Sequence, residues 1–403
     1  MKTYKKLSKS LLIWALYASH ISNLGVFVNR IINQFISLIF VISLMIVLAS
    51  CKSHDAMNFE ANTKGEIIEF IDGNPGQVVS ISVVDADNTY QYHLGTLSNG
   101  NKPDNQTIYE IASITKTYAG LVVAKAIQDG KVELDKDIRH YLKNNEYKNL
   151  ELSNQYITIR HLMTHTSGLP QEFAYSSEDK AKGVAVAFEK MSKYSKEDYF
   201  DDLKKVKLNS IPGEDYLYSS VGTNLAGYIL ESVYQKPFAL LVSEFITAKS
   251  GEQDTKFRGT HFKPGEITIG IRNGEQMPLS SAYSFAGGGL TTNVESITQY
   301  IQHQLSAEPE VAISHQLLDE SWTGHGMAFS WYTNNYDSNE QVLYHSGGSI
   351  GTSSWLAIYP KKNMGIFIVT NFAGRNTQPK LGEIADKVID YLTVYNQELN
   401  SKS

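Results

Sequence analysis

Cysteine is almost absent from this chain. Of its 403 residues only Cys51 carries a thiol, so no disulfide can form within it and its stability must come from a packed core. A basic excess is absent too: 36 Lys and Arg stand against 42 Asp and Glu, for a formal net charge of −6. An acidic body without a basic cluster argues against nucleic-acid binding. There is no Walker loop and no G-x-G-x-x-G string. His161 and His165 are four apart, but Leu162 and Met163 fill the positions between them where a zinc helix of the H-E-x-x-H kind places its glutamate. No metal and no cofactor is therefore expected. Internal repeats and low-complexity tracts are missing as well. Hydrophobic residues at 42% and charged residues at 19% describe an ordinary globular body.

The first fifty residues contain no Asp or Glu, only the basic residues Lys2, Lys5, Lys6, Lys9 and Arg30. Phe35 to Ala49 is almost wholly apolar, but at about 15 residues it is short for a membrane span. A basic head, an apolar core and small residues before a break describe a secretory signal. Leu48-Ala49-Ser50-Cys51 resembles the lipobox of bacterial lipoproteins, whose cysteine is acylated and becomes the new N-terminus. The resemblance implies an exported lipoprotein of a bacterial cell envelope, facing the periplasm or the cell surface and held to the membrane through acylated Cys51. An uncleaved N-terminal anchor is the alternative. Losing five positive charges with residues 1–50 takes the net charge from −6 to −11.

Beyond a short polar tether at 51–60, Val78–Val84 and Thr89–Leu94 alternate across an Asp-Ala-Asp-Asn turn and predict a hairpin. Lys116–Gln128 is helical and apolar nearly all round, with Gly130 at its C-terminal end. Residues 131–262 are mostly helical in periodicity, including Asn224–Tyr234 ahead of Pro237. Strands return at Gln341–His345, Ser353–Tyr359 and Met364–Thr370, and an amphipathic helix runs from about Glu383. The reading is an α/β (α+β) fold: one antiparallel sheet built from both ends of the chain, flanked by helices, with a helical domain inserted. The sheet domain is expected at 61–115 plus 265–398, and the helical domain at 116–264.

Serine needs a neighbour to take its proton. Ser113-Ile114-Thr115-Lys116 places a lysine one turn later on the same helix face. Ser177-Glu178-Asp179-Lys180 has the same spacing, in a polar stretch that reads as solvated surface. The first pair opens a buried helix, where dehydration lowers a lysine pKa and the helix N-terminus favours a developing anion. Gly347-Gly348-Ser349-Ile350-Gly351 fits G-x-S-x-G, but a strand follows it and no histidine lies beyond His345.

Further strings follow in order. Ile111–Thr117, His161-Leu162-Met163-Thr164-His165-Thr166-Ser167-Gly168-Leu169-Pro170, Pro212-Gly213 with Tyr218-Ser219-Ser220-Val221-Gly222, Ala286–Leu290, His345-Ser346-Gly347-Gly348 and Asn371–Gly374 resemble the successive signatures of one group. That group comprises class C β-lactamases, DD-carboxypeptidases and family VIII esterases. The likeness spans roughly residues 62–396 and implies a β-lactamase/transpeptidase-like fold with the site between sheet and helices. It implies Ser113 as nucleophile, with Lys116 and Tyr218 sharing general-base work, the lysine cation lowering the phenol pKa. The N–H groups of Ser113 and Gly348 would form the oxyanion hole. Ser220, His345, Ser346 and Gly347 would contact a small-molecule or short peptide substrate. A non-catalytic penicillin-binding-like cell-wall sensor of the same fold is the competing reading.

Two positions depart from the group. Ser220 stands where asparagine is usual and cannot offer a carboxamide's donor and acceptor pair, which leans the reading toward an esterase or a relaxed peptidase. His345 stands in place of lysine. At an ordinary imidazole pKa near 6.5, it predicts anion binding that weakens as pH rises through neutrality. The group includes peptidases, esterases, amidases and β-lactamases, so substrate class and oligomeric state stay open at this point.

Overall fold

Alternating β-formers closed by a tight turn place the first hairpin where it is predicted. The computed structural model describes residues 58–71, 76–142, 146–258, 266–279, 285–320, 325–334 and 339–402. Strands β1 (Val78–Asp85) and β2 (Asn88–Gly95) pair antiparallel, from Val78↔Gly95 to Asp85↔Asn88. The alternation in β1 does not leave one face in water: all eight residues are buried. Its polar face is satisfied internally. Ser80 Oγ bonds His93 Nδ1 at 2.8 Å and the Tyr109 hydroxyl at 2.9 Å, and Ser82 Oγ meets Thr298 Oγ1 at 2.6 Å. Covered on both faces, the strand can keep hydroxyls there only because each is partnered.

The remaining strands of the sheet come from the other end of the chain. They are β3 (Gly326–Met327), β4 (Tyr332–Asn334), β5 (Val342–Gly348), β6 (Ser353–Tyr359) and β7 (Met364–Thr370). The order is β3-β4-β5-β6-β7-β1-β2, and every pairing is antiparallel. Strand β5 runs three residues past the predicted end, so the whole His345–Gly348 string lies on it.

Helices fill the stretch between the two groups of strands and also lie before the first strand and after the last. They include α1 (Phe59–Ile71), α2 (Thr115–Gln128), α3 (Val184–Lys193), α4 (Ser220–Tyr234), α5 (Val294–Gln304) and the C-terminal α6 (Thr377–Lys402). Helix α2 is buried from Thr115 through Ala124, and Gly130 just beyond its end has φ +65°. Helix α4 starts four residues before Asn224 because Ser219 caps it, its Oγ accepting from Gly222 N–H at 2.9 Å. Helix α6 starts six residues before Glu383. Pro379 falls in its first turn, where a missing N–H costs nothing.

Contacts divide the chain into two compact units. Thr63–Asp390 holds the sheet and the middle helices; the described residues of the other are 58–62 and those of α6 from Tyr391, where the Phe59 and Tyr395 rings stack at 6.1 Å. Cys51, the leader read at 1–50 and most of the tether at 51–60 lie outside the described residues. Among the described residues no helix is long and apolar enough to cross a membrane.

Candidate active site

Ser113 sits on a strained turn. Strand Tyr109–Glu110 leads into a single 3₁₀ turn, Ala112–Ile114, which runs directly into α2. Ala112 has φ +46°, a left-handed conformation rare for alanine. Strand β5 passes against this turn at Gly347, where a Cβ would collide with the Ile111 carbonyl and Ser354 Oγ. Only glycine allows that approach, which brings Gly348 to the same cavity as Ser113. The cavity has a volume of about 420 Å³ and also takes in Tyr218, Ser220, His345 and Ser346. The predicted residues from three separate segments therefore meet at one place.

Two groups converge on the hydroxyl. The Tyr218 hydroxyl donates to Ser113 Oγ at 2.7 Å, and Lys116 Nζ lies 3.3 Å from the same oxygen. Lys116 Nζ is also 3.4 Å from Ser220 Oγ, donates to the Gly287 carbonyl, and sits 4.8 Å from the centre of the Tyr218 ring. Its side chain is wholly buried. Burial pulls the Lys116 ammonium down to about 7, against a smaller opposing pull from Glu172. A substantial fraction is thus the free amine at neutral pH, able to accept a proton.

Two electrostatic expectations are corrected. The Tyr218 phenol is not lowered by the lysine. Burial raises it well above its ordinary value, the hydrogen bond to Ser113 offsetting only part. Tyr218 is a neutral donor in the resting site. Nor does His345 titrate near neutrality. It is buried on β5, and burial first, then the Lys116 charge, push it down to about 3. Its Nδ1 bonds the Ser346 carbonyl at 2.6 Å, which fixes that nitrogen as the protonated one. His345 is a neutral wall of the cavity, and the predicted loss of anion binding through its deprotonation does not apply.

Sequence reasoning passed over several residues here. Asn224, one turn after Ser220 on α4, accepts from Gly287 N–H at 2.8 Å and so ties down the residue whose carbonyl accepts from Lys116. Its signal was the i, i+4 spacing from Ser220, hidden because the helix start was read too late. Glu172 and Arg272 also line the cavity. His165 packs its ring 4.5 Å from that of Tyr218. His161 does serve structure: its Nδ1 accepts from Thr158 N–H at 3.3 Å in a capping box. The second S-x-x-K string is exposed at Ser177, although Lys180 reaches the cavity rim. Ser349, of the G-x-S-x-G match, donates to Glu110 at 2.7 Å and is followed by β6.

Known proteins resemble this chain in sequence and in fold. The chain is 27% identical over 298 residues to Protein flp of Staphylococcus aureus (strain COL), covering 70% of this chain and 56% of that protein. It therefore spans little more than half the length of that curated relative. It is 22% identical over 342 residues to the D-alanyl-D-alanine-carboxypeptidase/endopeptidase AmpH of Escherichia coli (strain K12), covering 80% of this chain and 85% of that one. A crystal structure described as a β-lactamase/D-alanine carboxypeptidase from Yersinia pestis, complexed with citrate, superposes with a TM-score of 0.70 at 20% identity, covering 84% of this chain and 98% of that one. The sheet with its flanking helices is thus the β-lactamase/transpeptidase-like fold expected from the sequence. The Beta-lactamase family profile matches residues 69–389, and the chain belongs to that family of serine hydrolases.

Proposed function

We propose that this protein hydrolyses a small ester or amide through an acyl-enzyme on Ser113. The observation that carries the reading is the convergence of the Tyr218 hydroxyl and Lys116 Nζ on one serine oxygen, at 2.7 and 3.3 Å. The Lys116 free amine takes the serine proton as Oγ attacks the carbonyl. The oxyanion is received by the N–H groups of Ser113 and Gly348, a contribution of order 3 kcal/mol per donor. Once Oγ is acylated it is a poor acceptor, so the Tyr218 proton passes to the leaving group and the Lys116 ammonium restores the phenol. Deacylation runs the same transfers backwards with water in place of the leaving group.

Esters are favoured over β-lactams in this reading, because Ser220 gives Lys116 a hydroxyl and offers no carboxamide to an acylamino side chain. The D-alanyl-D-alanine carboxypeptidase named among the relatives makes a short peptide the second candidate. The decisive experiment is labelling with a fluorophosphonate and a fluorescent penicillin, alongside kcat/KM for 4-nitrophenyl butyrate, nitrocefin and a D-Ala-D-Ala peptide. Labelling lost in Ser113→Ala supports the hydrolase; no labelling by either probe supports a non-catalytic cell-wall sensor. A clear nitrocefin preference would overturn the ester assignment.

We also infer, from Leu48-Ala49-Ser50-Cys51 alone, that the protein is exported and anchored through acylated Cys51. Incorporation of an alkyne fatty acid, lost in Cys51→Ala together with membrane fractionation, tests it. An intact N-terminus by mass spectrometry would discard it.

A further inference from the structure

Another cavity, of about 440 Å³, has walls separate from those of the catalytic one. The short helix Phe238–Val242 and the π-helical turn Ser243–Thr247 after it form one side, and Glu252, Phe257 and Leu290 belong to the other. π-Helical turns are rare and frequently mark functional sites. At the cavity rim Leu240 is 50% exposed.

One carboxylate reaches this cavity, and it is buried. Glu252 is 5% exposed and accepts from three hydroxyls: Tyr118 at 2.8 Å, Ser250 at 2.8 Å, and Thr255. Among the described residues no cation pairs with it. Lys256, on the same cavity wall, lies 3.2 Å from Asp254 instead. A carboxylate offers about four acceptor sites, so one remains for a ligand. Burial raises the Glu252 carboxyl to about 7, against the opposing pull of the three hydroxyls. When ionised, Glu252 is therefore a buried charge without a counter-charge, a costly state that an entering cation relieves. Leu240, Val242, Phe257 and Leu290 make the remaining surface apolar. Such walls suit the hydrocarbon body of an organic ammonium and not a hydrated metal ion.

The same cavity touches what holds the catalytic serine. Tyr118 lies on α2 two residues beyond Lys116, its ring stacked on Tyr300 at 3.8 Å. Leu290 is bonded on either side of Ser113. Its carbonyl accepts from Ile111 N–H at 3.2 Å, and its own N–H donates to Thr115 Oγ1 at 3.1 Å. Leu290 is thus at once a wall of this cavity and a support of the nucleophile turn, and Tyr118 joins α2 to the cavity through Glu252.

We propose that this cavity is a second ligand site, taking a small organic ammonium with an apolar body whose charge pairs with Glu252, and that its occupant slows acylation of Ser113. The first half stands without the acyl-enzyme reading; the second rests on it. An ammonium at Glu252 draws the carboxylate away from the Tyr118 hydroxyl, and α2 loses an anchor beside Lys116.

Calorimetry on the full chain compares 2-phenylethylamine with 2-phenylethanol and phenylacetate, which are of similar size and differ in charge. The amine is expected to bind about tenfold more tightly than either, or better. Glu252→Gln should weaken amine binding by about 10- to 100-fold, the usual size of a charge-assisted contact. Leu240→Trp blocks the rim without altering Glu252 and should abolish binding, which decides the matter if the glutamine variant folds poorly. Glu172→Gln removes the carboxylate of the catalytic cavity and should leave amine binding unchanged. Saturating amine should slow fluorophosphonate labelling of Ser113 by about fivefold or more in the wild type, and not in Leu240→Trp. Equal binding of the three probes, binding that survives Leu240→Trp, or binding lost in Glu172→Gln would overturn the site. Amine binding with an unaltered labelling rate would overturn the coupling. If Ser113 takes no label at all, the acyl-enzyme reading and the coupling fall together, and calorimetry still decides the site.

Discussion

His165 grips Tyr218 from both sides along the backbone. The His165 carbonyl accepts the N–H of Leu217 at 2.8 Å, its Nδ1 accepts the N–H of Ser219 at 3.3 Å, and its ring lies 4.5 Å from the phenol ring. The residue is buried and holds φ at +59°, so local strain is spent on this placement. The phenol can donate to Ser113 only while the 217–219 segment stays where His165 holds it. Replacing His165 by Ala is expected to lower kcat/KM by about 100-fold for every substrate, since small misplacements of a reacting group carry costs of that size. Asn tolerates the same backbone conformation and offers an acceptor, so His165→Asn should recover at least part of the rate. Equal losses in the two variants would mean that the imidazole acts in some other way. Equal changes in Tm with unequal kcat/KM would separate positioning from folding.

Lys116 sets the pH dependence. With its pKa drawn down to about 7 by burial, the fraction of free amine grows as pH rises. kcat/KM should climb through pH 7 and level off above it. Stability carries the same signature. An unfolded lysine holds its proton to about pH 10, so between 7 and 10 the unfolded chain binds more protons and stability rises with pH. Below 7 the folded protein carries a buried ammonium at full cost. Lys116→Met should therefore abolish turnover and raise Tm at pH 6, by a few degrees, more than at pH 10. A gain in Tm that does not depend on pH would show that the amine is not strained by burial.

Ser220 tests the substrate assignment. Its side chain opens helix α4 beside Lys116 Nζ, at 3.4 Å, and faces the cavity. Ser220→Asn restores a carboxamide there. The ratio of kcat/KM for nitrocefin to that for 4-nitrophenyl butyrate should rise about tenfold or more, the size of a hydrogen bond gained by one substrate only. An unchanged ratio would remove Ser220 from the specificity argument.

Gly347 couples the sheet to the nucleophile. A methyl group at that position runs into the Ile111 carbonyl and Ser354 Oγ, so β5 must move away from the Ala112–Ile114 turn. Gly347→Ala is expected to cost about 1–3 kcal/mol in denaturant unfolding, as overpacked cores do. The fall in kcat/KM should exceed what that loss of folded protein explains, because Gly348 moves with the strand. A stable, fully active variant would argue that the strand and the turn are not coupled.

Much of this protein was legible along the chain. Hydrophobic alternation and turn chemistry located β1, β2, β6 and β7, because a hairpin is a local object whose register follows from its turn. The pairing of Ser113 with Lys116 was legible for the same reason, since one helical turn fixes it. Helix starts were less so. Ser219 capping α4 and Pro379 inside α6 are local signals whose meaning depends on where the preceding segment goes.

Folding alone decided what those residues are electrically. A histidine at position 345 reads as a titrating cation in the sequence, and only its enclosure beneath the cavity, near the Lys116 charge, makes it neutral. The phenol of Tyr218 reads as a group to be lowered by a neighbouring cation, and burial raises it instead, because the cost of removing water from a phenolate outweighs the hydrogen bond to Ser113. Arg272 had no signal at all: it lies 159 positions from Ser113, on a hairpin that enters the cavity only because Gly270 fits against Gly351. Residue type and spacing are properties of the chain, whereas solvation and long-range adjacency exist only once it has folded.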